Sequence, residues 1–412
     1  MNLRTSVPAA LLAAGLALPL VLPAAEAAPV AQGVGDWTVV AWNDLGMHCM
    51  DSDYAVFSVL PPYNTIHAHV VDATGDLVTA AAGVSVTYHA VADPSGSVNT
   101  TSAGKTDFWD RVTELYGASL AVDEGLAGDD MPGPANPPQP MHFDPDTDWF
   151  TGEGIPITPT DDLGNTNHYP MMRVEARDAT GTLRGFTDIV LPVSDEMDCR
   201  MCHASGAGLD ARPAGGWVQA PDLERDYRLN ILRLHDEGQA ANPAYAAALA
   251  TLGLNPAGLE ATVTVDQRSI LCASCHGSNA LPGTGLAGIA SLTQVVHAHH
   301  APVIDPLTGL TLDADLNRAS CYRCHPGSET ACLRGAMGKA VAADGTMAMQ
   351  CQACHGDMST VGDPARAGWF EEPSCQACHT GDALLNNGQI RYDTVFDATG
   401  AERVAVNPLF AT

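Results

Sequence analysis

Ten of the twelve cysteines fall into five Cys-x-x-Cys-His runs: Cys199-Arg-Met-Cys202-His203, Cys272-Ala-Ser-Cys275-His276, Cys321-Tyr-Arg-Cys324-His325, Cys351-Gln-Ala-Cys354-His355 and Cys375-Gln-Ala-Cys378-His379. Two thiols three residues apart, with an imidazole directly after the second, form the attachment set for a c-type haem. The thiols reach the two vinyl groups and the imidazole meets the iron. Zinc ribbons also use Cys-x-x-Cys, but they pair two such turns around one ion and have no use for a histidine after each. A disulfide framework leaves the histidines equally unexplained. The pattern predicts five covalently attached c-type haems, with His203, His276, His325, His355 and His379 as proximal ligands.

The opposite face of each iron separates a wire from an enzyme. A second strong ligand closes the iron and leaves only electron transfer, while an open face admits small molecules. Fifteen histidines less the five proximal ones leaves ten, of which His235, His297, His299 and His300 lie among the haem motifs. Residues 222–237 read as a helix with Tyr227, Ile231 and His235 at steps of four on one face, so His235 is a candidate ligand; a core histidine bonded to a carbonyl is the alternative. Ser291-Leu-Thr-Gln294 has capping-box form and starts a short helix that Pro302 ends. On it His297 and His300 face the same way and are assigned to two haems, whereas His299 turns aside, solvated or a substitute for either. At least one more ligand must come from the N-terminal part, where His48 and His67 are the choices; strand-packed or surface histidine is the rival for both. Met337, Met347, Met349 and Met358 are rival ligands that would raise a potential, but methionine more often fills gaps.

These motifs need elements to hold them. All five lie between Cys199 and His379, which implies two domains: a β-rich part at 29–195 and a haem-bearing part at 196–385, with a tail at 386–412. The first has short β-rich runs such as Trp37-Thr-Val-Val-Ala-Trp42, His69-Val-Val, Val84-Ser-Val-Thr-Tyr-His89 and Met172-Arg-Val-Glu-Ala, separated by Gly, Pro, Asn and Asp. They predict an all-β, sandwich-like domain. Asp-Ala-Thr-Gly recurs at Asp72, Asp178 and Asp397 and predicts three turns, the last marking a return to β structure. Residues 129–162, rich in Pro, Gly and Asp, read as a long surface loop. Its Asp144, Asp146 and Asp148 alternate as in a calcium loop but lack the glycine and the closing glutamate. The haem-bearing part has short helices and little other apolar periodicity, so the fold class is mixed, with haems expected to serve as the second domain's core.

Residues 1–28 carry Arg4, an apolar stretch from Val7 to Leu22 and small residues around Ala25-Glu-Ala27. That is the layout of a cleavable secretory signal, and export to the periplasm or beyond suits c-type haem attachment. No later apolar run is long enough to span a bilayer. A formal charge of −29 argues against nucleic acid and anionic membranes as partners. Basic redox proteins suit it better, other multihaem cytochromes included, and self-assembly into a continuing haem chain stays open. Cys49 and Cys332 belong to no motif; a disulfide between them, buried thiols and a metal role are all open.

The runs Asn43-Asp-Leu-Gly-Met-His-Cys-Met50, Val193-Ser-Asp-Glu-Met-Asp-Cys199 and Cys332-Leu-Arg-Gly-Ala-Met-Gly338, taken with the haem motifs, resemble a family of exported bacterial multihaem c-type cytochromes. The resemblance covers almost the whole mature chain. It implies electron transfer in the bacterial envelope and carries over no established substrate. Chains of that family continue with further haem motifs, so this one reads as a shorter member or an incomplete sequence. The resulting expectation is an electron-transfer pentahaem cytochrome with mainly bis-histidine haems. A multihaem reductase of a small oxyanion, with one open haem, is the alternative, and a third reading makes the β-domain a binding module.

Overall fold

The computed structural model describes residues 35–44, 46–79, 83–195, 199–208, 210–314, 316–317, 319–325, 351 and 356–363, and the backbone of 391–396 and 402–404. The signal segment, Cys332, Cys354, His355 and the fifth motif (Cys375, Cys378, His379) lie outside the described residues, as do Met337, Met347 and Met349.

Eight strands make two four-stranded antiparallel sheets. The first runs β1 (Thr38–Asn43), β4 (Asn64–Val71), β8 (Trp149–Ile155), β7 (His142–Asp144). The second runs β10 (Leu183–Val190), β9 (Met171–Arg177), β5 (Ser85–Val91), β6 (Gln139–Pro140). Their sequences alternate because successive side chains leave a strand on opposite faces. Val86, Tyr88 and Ala90 of β5, Met172, Val174 and Ala176 of β9, and Ile66, Ala68 and Val70 of β4 are all buried in one shared cluster. The arrangement is sandwich-like. The sheets meet where the Trp37 N–H donates to the Arg184 carbonyl at 3.1 Å. Gly185 allows that approach, since a Cβ there would lie 2.6 Å from the Trp37 carbonyl oxygen. Helix α1 (Phe108–Tyr116) adds Phe108, Val112 and Leu115 to the core and stops at Gly117, whose φ is 69°.

Two of the three Asp-Ala-Thr-Gly runs are turns built alike. Asp72 Oδ1 accepts from the N–H groups of Thr74 and Asp76, and Asp178 Oδ1 from those of Thr180 and Thr182. The third lies outside the described residues, but the strands around it, β13 (Arg391–Phe396) and β14 (Glu402–Val404), pair antiparallel.

Residues 129–162 are not one long loop: they hold β6, β7 and β8. The composition misleads because Pro140 sits on an edge strand, where a missing N–H breaks no inner ladder bond. Gly152 lies under Tyr88, whose ring would be 2.9 Å from an added Cβ. The aspartates at 144, 146 and 148 form the β7–β8 hairpin turn, with Asp144 Oδ1 accepting from the Asp146 N–H and Asp148 at φ 56°.

Three helices follow the sandwich: α3 (Leu223–Gln239), capped by Asp222 on the Arg225 N–H, α4 (Pro243–Thr251) and α5 (Leu259–Thr264). Leu229, Leu232, Leu249, Leu259 and Val263 pack with Val56 and Phe57 of the β-rich part. Short parallel pairs tie the same junction: β2 (His48–Cys49) with β11 (Val193–Ser194), and β3 (Phe57–Ser58) with β12 (Ile270–Leu271). At its centre the Arg228 guanidinium, 1% exposed, lies 3.4 Å from the Asp51 carboxylate, 0% exposed. Asp51 also accepts from Ser58 Oγ and from the N–H groups of Val59 and Leu60. Burial pushes its pKa up, and Arg228 pulls it back toward the charged form. Removing one partner of such a pair strands a buried charge and costs about 3–5 kcal/mol. Arg228→Met is therefore expected to lower the urea midpoint followed by circular dichroism, and adding Asp51→Asn should recover much of the loss. A single variant as stable as the parent would contradict this.

Candidate functional site

The three described motifs share one local geometry. The N–H groups of His203, His276 and His325 donate to the carbonyls of Cys199, Cys272 and Cys321, four residues earlier, at 2.9, 3.1 and 3.0 Å. A single helical turn closes each, in α2 (Arg200–His203) and in the 3₁₀ turns Cys272–Ser274 and Ser320–Arg323. Positions i, i+3 and i+4 of a helical turn lie on one face, which brings both thiols and the imidazole to the same side.

Each of these histidines faces one from outside the motifs. His235 on α3 faces His276 with ring centroids 6.3 Å apart and planes at 79°. His300 on α6 (Leu292–His300) faces His203 at 6.2 Å and 80°. His297, one turn earlier on α6, faces His325 at 5.9 Å and 20°. Two imidazole nitrogens bound to one ion at about 2.0–2.1 Å each, with the ring reach added, put the centroids roughly 6 Å apart.

The ring nitrogens are oriented as well. Nδ1 of His276 lies 3.0 Å from the Ala290 carbonyl, and Nδ1 of His297 and His300 lie 2.7 Å from the Thr293 and Val296 carbonyls. A carbonyl on Nδ1 selects the tautomer whose unprotonated nitrogen is Nε2, the form in which an imidazole binds a metal. Nδ1 of His203 and of His235 is buried without a hydrogen-bond partner among the described residues. Burial, then the nearby His300 and His299, pushes His203 down to about 4; burial also lowers His235 and His300. The rings are thus neutral at pH 7, the form that ligates.

His48 and His67 are placed differently from the expectation. His48 is buried with Nε2 3.0 Å from the Pro61 carbonyl and its ring 3.7 Å from that of Tyr63. His67 stacks on Trp149 at 4.4 Å, with Nδ1 on Thr151 Oγ1 at 3.0 Å and Nε2 3.4 Å from Asp44 Oδ2. Neither faces His203, His276 or His325, and His355 and His379 lie outside the described residues. His48 stands in β2 with one ring nitrogen on Pro61, and His67 in β4 with its two on Thr151 and Asp44. His299 is exposed beside His300. Met358 is buried against Ala301 and Leu312 and fills space there.

One positioning group had no sequence signal. Asp305, 0% exposed, accepts from Arg323 Nε and Asn317 Nδ2 at 3.1 Å and from the Leu307 N–H, so it anchors the third motif through the arginine between its cysteines. Eighteen residues and no pattern separate the two. Among the described residues no three His, Cys, Asp or Glu converge on one metal position. No described helix is long and apolar enough to cross a membrane. Comparisons with protein-family models, with curated proteins and with solved structures return no match.

Burial lowers His48 to about 4. Between there and the ordinary value near 6.5 the unfolded chain binds a proton that the folded chain refuses, so stability falls as pH drops through that window, by about 3 kcal/mol in full. His48→Gln, which keeps a donor for Pro61 but cannot charge, is expected to flatten this acid limb in urea titrations from pH 7 to 4. An unchanged slope would assign the acid sensitivity elsewhere.

Proposed function

We propose that the chain is an exported electron-transfer cytochrome carrying five covalently attached c-type haems, in which the facing imidazoles are axial pairs: His203 with His300, His276 with His235, and His325 with His297. One observation carries this reading: all three described motif histidines face a non-motif histidine at 5.9–6.3 Å. The residues present fit the group, since each site joins a Cys-x-x-Cys pair to two imidazoles whose centroids lie 5.9–6.3 Å apart.

A c-type haem bound at such a site supplies one-electron chemistry between ferric and ferrous iron. The cysteine pairs Cys199/Cys202, Cys272/Cys275 and Cys321/Cys324 tether it. The distal imidazoles occupy the face a substrate would need, which favours electron transfer over small-molecule catalysis. Motifs four (Cys351, Cys354, His355) and five (Cys375, Cys378, His379) are assigned on sequence grounds alone. The signal-like 1–28 and the haem chemistry support a periplasmic or extracellular location. The −29 charge supports a basic redox protein as partner.

The test is low-temperature electron paramagnetic resonance on the haem-loaded protein, alone and with nitrite, hydroxylamine or carbon monoxide. Near-perpendicular imidazole planes leave two iron d orbitals almost degenerate, and parallel planes split them. Two strongly anisotropic low-spin signals and one rhombic signal are expected from the described sites, all unmoved by the added ligands. A high-spin haem that shifts with nitrite or hydroxylamine would replace this reading with a reductase. His235→Ala, His297→Ala and His300→Ala should each turn one haem equivalent high-spin in the ferric absorption spectrum, while His48→Ala and His67→Ala should turn none.

A further inference from the structure

Helix α6 is nine residues long, yet it serves two motifs that lie more than a hundred residues apart. His297 and His300 stand one turn apart on it, the first facing His325 of motif three and the second His203 of motif one. A second contact joins the same two motifs. Cys202, in motif one, is within electrostatic reach of the buried Asp305 and of Arg323, which sits between the cysteines of motif three.

Motif two approaches from the other direction. Its His276 faces His235 on α3, and His299 of α6 lies within electrostatic reach of both His235 and His203. His299, which is exposed beside His300, is therefore near both the motif-two and the motif-one pairs. On the far side, the thiols of Cys321 in motif three and Cys351 in motif four are hydrogen-bonded to each other.

Resting on the cytochrome reading above, we propose that the first three haem sites are arranged in space in the order two, one, three, with α6 as the shared ligand helix between sites one and three. Motif order along the chain is thus not the order in which electrons pass. Site one occupies an inner position although its motif comes first, and site two is the outer site at this end.

Anomalous diffraction at the iron edge, on crystals of the haem-loaded full chain, tests the order independently of activity. Five iron peaks are expected, with the iron traced to motif one lying between those of motifs two and three. Motif two's iron lying between those of one and three would overturn the order while leaving the cytochrome reading intact. Peaks at the zinc edge in place of iron would overturn the cytochrome reading itself, and the order with it.

Discussion

Two imidazoles that close on one iron must oppose each other at a fixed separation, and that requirement reaches well beyond the six rings concerned. It demands that α3 and α6 be held rigidly against turns that have almost no apolar residues of their own. The chain meets the demand with hydrogen bonds close to each ring. Carbonyls of Ala290, Thr293 and Val296 aim three of the imidazoles, Ser291 caps α6, and Asp305 holds Arg323 and with it the third motif. A buried ring nitrogen without a partner is expensive, because it loses its water for nothing. The orphaned Nδ1 atoms of His203 and His235 mark where that cost falls.

The β-sandwich supports this arrangement from one side. It has an ordinary apolar core, and its junction with the helices is polar at the centre, where the buried Asp51 and Arg228 meet, and apolar around it, where Val56 and Phe57 pack on α3–α5. A buried ion pair is weak evidence for stability but fixes one docking geometry over others. That is useful here, since α3 carries His235 and begins one turn before Arg228. The β-rich domain, which has no Cys-x-x-Cys-His run of its own, thereby sets the position of His235 through α3.

Much of the site was legible in the sequence. Cys-x-x-Cys-His announces itself, and the helical spacing around His235 and the capping box at Ser291 pointed to the same non-motif histidines that face the motifs. For His48 and His67 the sequence was silent on their local partners: a count of histidines says how many ligands five haems would need, but not which rings already have neighbours within a strand. The β-sandwich followed from alternation, whereas β6 to β8 were hidden by Pro and Gly that serve edges and close packing. Long-range polar contacts left no trace in the sequence. Asp51 and Arg228 are 177 residues apart, and no local pattern links them.

The central claim is that the facing imidazoles are axial pairs on haem iron, and near-infrared magnetic circular dichroism of the fully oxidised, haem-loaded protein tests it most directly. The energy of the charge-transfer band reports the second axial ligand. At least three haem equivalents are predicted to show the bis-imidazole band. A band at the histidine–methionine position for those three haems, or no low-spin band at all, would contradict the account.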